Sequence, residues 1–276
     1  MSATTSGVRG KVVSLLRYPV KSMLGEELSC VWLTARGLLG DRAFALISAG
    51  DGKVVSAKNP RKWPRMFEFR ACYIEPTCPE RAIPPVRITL PDGRVTTSTD
   101  GDIDRVLSRA LERDVKLAAA APEQPRLEEY WPDMEELPHR DTVTEESMPA
   151  GTFFDGAAVH LLTTATLGAL QKACPDGRFE ARRFRPNIVV QLDNPVAGFA
   201  ENDWINHVLA IGEEVRLRIS GPCPRCVMTT LEQSDLPADT RILRVAAQQN
   251  KAHVGVYASV VRDGLIRRGD AIRLEQ

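Results

Sequence analysis

Net charge is the first thing this chain lacks. Over 276 residues, 36 Lys and Arg stand against 36 Asp and Glu. A zero balance argues against a protein whose main work is gripping nucleic acid through its phosphates, which calls for a basic excess. No stretch approaches the ~20 apolar residues needed to cross a bilayer. Met1 to Gly10 is polar and small, without the apolar core of a signal peptide. The 6 cysteines are too sparse for a disulfide scaffold at this length. These absences predict a cytoplasmic protein with mostly reduced thiols and neither a membrane nor a nucleic-acid partner. There is no internal repeat and no low-complexity tract. What is present, 43% hydrophobic and 26% charged residues, suits one large or two modest globular domains.

The zero hides a segregation. From Glu123 to Glu146 the acids are Glu123, Glu128, Glu129, Asp133, Glu135, Glu136, Asp141, Glu145 and Glu146, against Arg126 and Arg140 alone. Outside this window 34 basic residues face 27 acidic ones, so one acidic strip interrupts a basic protein. Pro122, Pro125, Pro132, Pro138 and Pro149 punctuate the same region, which reads as a linker or a long surface loop.

Short strands dominate the remainder. Lys11 to Val20 reads as a strand running into a Pro turn, with Leu28 to Thr34 and Arg42 to Ile47 following it. Val86 to Leu90 and Arg94 to Ser98 flank Pro91-Asp92-Gly93, a hairpin signal. Ile103, Val106, Leu107, Ala110 and Leu111 then fall at helical spacing, with Asp100 or Asp102 as a cap. After the strip, Ala157 to Leu162 reads as a strand, and Thr163-Thr164 caps a helix continuing toward Gly177. Ile188 to Leu192, Glu214 to Ile219 and Val254 to Val261 are strand-like, and Gly264 to Leu274 reads as a closing pair of strands. The fold class predicted is α+β and strand-rich, with β-barrels and a few peripheral helices.

Three segments carry chemistry. In Gly221-Pro222-Cys223-Pro224-Arg225-Cys226 two thiols flank a fixed cation, which favours thiolate over thiol. A thioredoxin-like pair needs the motif to open a helix, whereas Val227 to Leu231 reads as extended. A structural zinc site needs a second ligand pair, and Cys72 and Cys78 have the wrong spacing. A single soft-metal ligand in a larger cofactor pocket, or two inert buried thiols, remain open. Arg182-Arg183-Phe184-Arg185-Pro186-Asn187 places cations at the mouth of an apolar strand, suited to an anion or equally to plain surface charge. Asn187 adds a donor and an acceptor for a heterocycle edge. In Tyr18-Pro19-Val20-Lys21-Ser22, an ammonium and a hydroxyl follow a Pro turn without the glycines of a P-loop.

Taken together, YPVKS (Tyr18 to Ser22), GLLGDRAF (Gly37 to Phe44), FRPNIVV (Phe184 to Val190), CPRCVMTT (Cys223 to Thr230) and GLIRRGDAIRL (Gly264 to Leu274) resemble the MOSC family and its N-terminal β-barrel partner. The five blocks run in family order across nearly the whole chain. The pattern is similar to the amidoxime-reducing components and to bacterial proteins that detoxify N-hydroxylated bases. The resemblance implies an N-terminal β-barrel-like domain over 8–122, the acidic linker over 123–150 and a MOSC β-barrel domain over 151–276. It further implies a molybdenum cofactor (Mo-molybdopterin) held between the two domains. Cys226 matches the metal ligand and catalytic position. Lys21, Ser22, Arg42, Thr163, Thr164, Arg185, Asn187, Pro224 and Arg225 match cofactor-binding positions, with Cys223 behind them.

The implied reaction is removal of oxygen from small N-hydroxylated or N-oxygenated substrates, chemistry that no side chain supplies unaided. The chain holds no plant-type C-x4-C-x2-C cluster and no anchor like that of the mitochondrial relatives. A separate flavin or Fe–S protein is therefore expected as electron donor. Two alternatives stay in view: a carrier or sulfur-handling module that holds the cofactor without turnover, and a thiol oxidoreductase using Cys223 and Cys226. The acidic strip is expected at the pocket mouth, where it would dock the donor or screen substrates by charge.

Overall fold

The computed structural model describes residues 7–194 and 198–275. The first six residues of the stretch read as leaderless, and residue 276 of the expected second domain, lie outside them. Along the first half run β1 (Arg9–Arg17), β2 (Glu26–Leu28), β3 (Cys30–Thr34), β4 (Gly37–Leu38), β5 (Ala45–Ser48), β6 (Arg70–Tyr73), β7 (Val86–Thr89), β8 (Val95–Thr97), α1 (Ile103–Leu111) and β9 (Val115–Ala118). Next come β10 (Arg126–Trp131) and β11 (Thr142–Ser147). The second half contains β12 (Val159–Thr163), α2 (Thr164–Ala173), α3 (Ala181–Phe184), β13 (Ile188–Leu192), β14 (Val208–Ile211), β15 (Val215–Pro224), α4 (Arg241–Asn250), β16 (His253–Arg262), β17 (Gly264–Arg267) and β18 (Ala271–Glu275).

Seven strands close into a barrel: β13, β12, β16, β15, β14, β18 and β1, which pairs back with β13. Only the β12–β13 step is parallel, and α2 and α3 make the crossover that a parallel pair requires. The period-two alternation of the strands fills the interior. Along β15, Val215, Leu217 and Ile219 point in and are fully buried, while Arg216 and Arg218 point out. Val12 and Leu15 of β1 join the same core as Val159, Ile188, Leu209 and Ile272. Each such side chain removed from water contributes roughly 1.5–3 kcal/mol before entropy is counted. Strand β1 is squeezed between two neighbours, with Gly10 opposite both Leu192 and Ile272. A Cβ there would stand 2.2 Å from the Gln191 carbonyl oxygen, so only glycine fits.

A second core is built from Val20, Met23, Leu46, Trp63, Met66, Phe69, Val86, Ile88, Leu107 and Val115. The hairpin around Gly93 forms as the turn residues predict, pairing Arg87 with Thr97 and Thr89 with Val95. Helix α1 turns Ile103, Leu107 and Leu111 onto this core. Met228, from the far end of the sequence, is inserted into it as well. The two halves meet again where β17 pairs with β3. That pairing corrects the expected closing hairpin: β17 and β18 do not pair with each other, because β18 completes the barrel between β14 and β1.

The acidic strip is also not the linker or loop its composition suggested. It folds into a hairpin in which β10 pairs with β11 from Arg126–Ser147 to Trp131–Thr142. Leu127 and Glu129 face inward at 1% and 7% exposure. Five of the nine acids, Glu128, Glu129, Asp133, Asp141 and Glu145, are held in ion pairs. Glu128 binds Lys53 and Lys62, both at 3.0 Å, Glu145 binds Lys53 and Arg126 at 2.6 Å, and Asp133 binds Arg140 at 2.6 Å. Pairing of this kind removes the repulsion that would otherwise keep the segment extended.

Candidate functional site

The turn after β1 and the turn before β5 are laced together by backbone hydrogen bonds. Arg42 N–H donates to Tyr18 O at 2.8 Å, Lys21 N–H to Phe44 O at 2.9 Å, and Phe44 N–H to Pro19 O at 3.0 Å. Asp41, buried, accepts from Tyr18 N–H at 2.8 Å and pairs with the Arg42 guanidinium. This lacing carries Lys21, Ser22 and Arg42 to one cavity. There they meet Arg185 and Asn187, which lie between α3 and β13, and Cys223, Pro224, Arg225 and Cys226 at the end of β15. Lys58, Asp155, Gly156, Ala157, His160, Met228 and Tyr257 complete the wall. Three of these residues are non-glycines in the left-handed region: Ser22 (φ 64°), Arg42 (φ 48°) and Arg185 (φ 52°). Such backbone costs of order 1 kcal/mol per residue and persists where the surroundings enforce it, commonly at binding sites.

The cavity is overloaded with positive charge. Lys21, Arg42, Lys58, Arg185 and Arg225 face it, against Asp155 as the one carboxylate of its lining. Lys21 Nζ, 3% exposed, donates to Asp155 Oδ1 at 2.7 Å and to Phe153 O at 2.9 Å. Burial still pulls its pKa down to about 8, with Asp155 working the other way. Burial opposes ionisation of Asp155 too, yet Lys21 and Lys58 hold its carboxyl well below the usual range. The Arg185 guanidinium lies 4.0 Å from the Tyr18 ring centre and donates to Met23 O at 2.8 Å. Burial brings its pKa down to about 10. Its Nη2, like Nε of Arg225, is buried with no hydrogen-bond partner. Two orphaned cationic donors at one cavity are a strong sign of an anion's place.

The structure corrects several sequence expectations. Burial pushes the Cys226 thiol up to about 11, with Glu129 adding to the rise, and the pull of Lys58 and Arg225 does not overcome it. Cys226 in the protein alone is thus a thiol. Arg225 spends its Nη1 on Cys223 Sγ instead. Residues Val227–Thr230, read as extended, form a 3-10 turn, because the Thr229 and Thr230 hydroxyls donate back to Cys226 O at 3.0 Å and Val227 O at 2.7 Å. Of the three arginines near β13, only Arg185 reaches the cavity. Arg182 pairs with Glu180 and Asp235 at the surface, and Arg183 is fully buried among backbone carbonyls. The amide of Asn187 is already committed: Oδ1 accepts from His160 N–H at 3.0 Å and Nδ2 donates to Leu16 O. The Ser22 hydroxyl likewise accepts from Ala57 N–H at 3.1 Å.

Thr163 and Thr164 are not brought to the cavity. Thr163 caps α2, accepting from Thr166 N–H at 3.1 Å and donating to the buried Glu201 at 2.6 Å, and Thr164 is the first residue of that helix. Lys58, Asp155, His160 and Tyr257 were not read from the sequence. Asp155 carried a usable signal, a lone acid in Phe153-Phe154-Asp155 at the mouth of apolar β12. Lys58 carried none, being one lysine among several in its loop. Among the described residues no three His, Cys, Asp or Glu side chains gather to hold a metal ion, and all six cysteines are free.

Family models for the MOSC domain and the MOSC N-terminal beta barrel domain match residues 149–273 and 9–96. The chain belongs to the MOSC-domain family. It is 26% identical over 251 residues to the molybdenum cofactor sulfurase of Oryza sativa subsp. japonica, across 80% of this chain and 28% of that protein. Over 294 residues it is 27% identical to mitochondrial amidoxime reducing component 2 of Bos taurus, across 95% of this chain and 82% of that one. A silkworm (Bombyx mori) molybdenum cofactor sulfurase matches at 30% over 90 residues, 32% of this chain and 10% of that protein. The chain therefore spans only a minor part of both sulfurases.

Proposed function

We propose that this protein binds the molybdenum cofactor in the cation-lined cavity and reduces small N-hydroxylated or N-oxygenated compounds, drawing electrons from a separate flavin or Fe–S protein. The observation that carries the reading is the pair of orphaned donors, Arg185 Nη2 and Arg225 Nε, at a cavity with five cations and one carboxylate. An anionic, phosphate-bearing group with hydrogen-bond acceptors fits such a wall. Lys21, Arg42, Arg185 and Arg225 would hold the cofactor, with Ser22, Asn187 and Pro224 shaping the wall around it, and Cys226 would ligate its metal. With no three-residue metal cluster among the described residues, the metal's other ligands would come from the cofactor's own sulfurs, which suits one soft thiolate. Bound there, the cofactor supplies two-electron oxygen removal from nitrogen. Ligation would take the proton from the Cys226 thiol, as metal binding to a thiol requires.

The remaining duties fall to the protein. Asp155 fixes Lys21 so that its ammonium points into the cavity. Asp41 does the same for Arg42, and the Thr229 and Thr230 hydroxyls hold the turn that presents Cys226. No helix among the described residues is long and apolar enough to cross a membrane. Elemental analysis tests the reading. Protein expressed in a cofactor-competent host is expected to carry near-stoichiometric molybdenum and pterin, both lost in Cys226→Ala. Wild-type protein free of molybdenum overturns the reading. Full metal content with no reduction of an amidoxime by a chemically reduced sample leaves a carrier.

A further inference from the structure

Each cavity cation has an internal partner, and the partner of Lys58 comes from an unexpected place. Lys21 is held by Asp155, Arg42 by Asp41, Arg185 by Met23 O and the Tyr18 ring, and Arg225 by Cys223. Lys58 is held by Glu129 of the acidic hairpin, Nζ to Oε2 at 2.9 Å. Glu129 does not line the cavity and is 7% exposed, so the hairpin buries a carboxylate whose bonded contact is this one ammonium. The neighbouring Glu128 clamps the hairpin to Lys53, Lys62 and Asn59. The backbone of Lys58 is pinned from both sides, its N–H donating to Ser56 Oγ at 3.2 Å and its carbonyl accepting from Tyr130 N–H at 2.8 Å. Such fixing of a flexible lysine is a device for aiming it.

An ammonium has three donors. Lys58 uses one on Glu129, and Asp155 at 3.9 Å is beyond hydrogen-bond reach. Donor capacity is thus left on an ammonium that lines the same cavity as Cys226. We propose that Lys58, aimed by Glu129, reads the substrate: its ammonium donates a hydrogen bond to the N–O oxygen of a neutral N-hydroxylated compound and disfavours substrates carrying positive charge there. Lys58 is then a specificity-determining residue and Glu129 its positioning residue. This rests on the function proposed above.

The test uses holoprotein in the oxidised state, where substrate binds without turnover. Calorimetry gives Kd for benzamidoxime and for a benzamidoxime bearing a quaternary ammonium group, with molybdenum content measured on every sample. Lys58→Met is expected to keep its molybdenum and bind benzamidoxime about tenfold more weakly, the usual size for a charged hydrogen bond. It is also expected to lose discrimination against the cationic analogue. Lys58→Arg stays within about threefold of wild type, and Glu129→Gln falls between the two. Normal molybdenum with unchanged Kd values in Lys58→Met overturns the proposal and leaves the cofactor reading standing. Loss of molybdenum in both Lys58 variants overturns it too, because the lysine would then be holding the cofactor. Wild-type protein without molybdenum removes the underlying reading instead. If Lys58→Met does not fold, Glu129→Gln decides, and an unchanged ratio of the two Kd values overturns the proposal.

Discussion

Arg183 and Arg185 are two residues apart, both are buried, and neither has a carboxylate partner, yet they occupy opposite kinds of region. Behind the Cys226 turn, Arg183 donates to Arg178 O at 2.9 Å, Pro237 O at 2.8 Å, and Thr229 O and Leu231 O at 3.3 Å. Every nitrogen of its guanidinium is used, on carbonyls that need donors themselves. In front of the turn, Arg185 has one bonded nitrogen and one orphan, and Arg225 beside it has another orphan. The first region is a cage completed by the protein. The second is a cage left open. A buried cation by itself says little about function; whether its donors are satisfied separates a structural pin from a binding wall.

The comparison predicts opposite responses to the same substitution. Arg183→Met strands four carbonyls and is expected to cost about 4 kcal/mol of unfolding free energy in urea titrations. Acid provides a second probe, because His160 lines the open cage and is kept uncharged. Burial, with Arg225 next, pushes its pKa down to about 3 from the ordinary 6.5. The folded state thus refuses a proton that the unfolded state accepts, so this stability is intact above pH 6.5 and drains away below it. The loss is about 3 kcal/mol by pH 4. Comparing wild type with His160→Gln across pH 4 to 7 isolates it, and parallel curves would contradict the picture. The smallest effect is expected for Arg185→Met in cofactor-free protein: a change within about 1 kcal/mol of either sign, because an unsatisfied buried cation is removed. Its holoprotein, by contrast, should lose molybdenum. A cost near that of Arg183→Met would erase the distinction.

Strands announced themselves where alternation or turn chemistry was local. The Pro91-Asp92-Gly93 hairpin, α1 and the Thr163 cap all rest on neighbours in sequence, and all are present. The pairing of β17 with β3 and the ring closure by β1 depend on contacts across most of the chain, which periodicity does not encode. The acidic hairpin misled for a related reason. Nine acids look like a solvated run until Lys53, Lys58, Lys62 and Arg61, far upstream, are seen to pair with four of them, Glu128, Glu129, Asp141 and Glu145. At the site, Lys21, Ser22, Arg42, Arg185, Asn187, Pro224, Arg225 and Cys226 are gathered at one cavity. Their family blocks brought them to notice. The burial that keeps Cys226 protonated, and the commitments of Asn187 and Ser22, are three-dimensional facts with no sequence signature.

The seven-strand ring also has a calendar. It closes by fitting a strand made early, Arg9–Arg17, between two made late, Ile188–Leu192 and Ala271–Glu275. Until the late strands are made, β1 has only β2 to pair with, along Leu15 to Arg17, and closure is slow because the ring's contacts are so distant in sequence. The turn bearing Lys21 and Ser22 leaves directly from β1, so this wall of the cavity reaches its place only when the ring shuts. Completion of the pocket is thereby tied to completion of the barrel, since Arg185 and Asn187 precede β13 and Cys223 lies in β15 of the same ring.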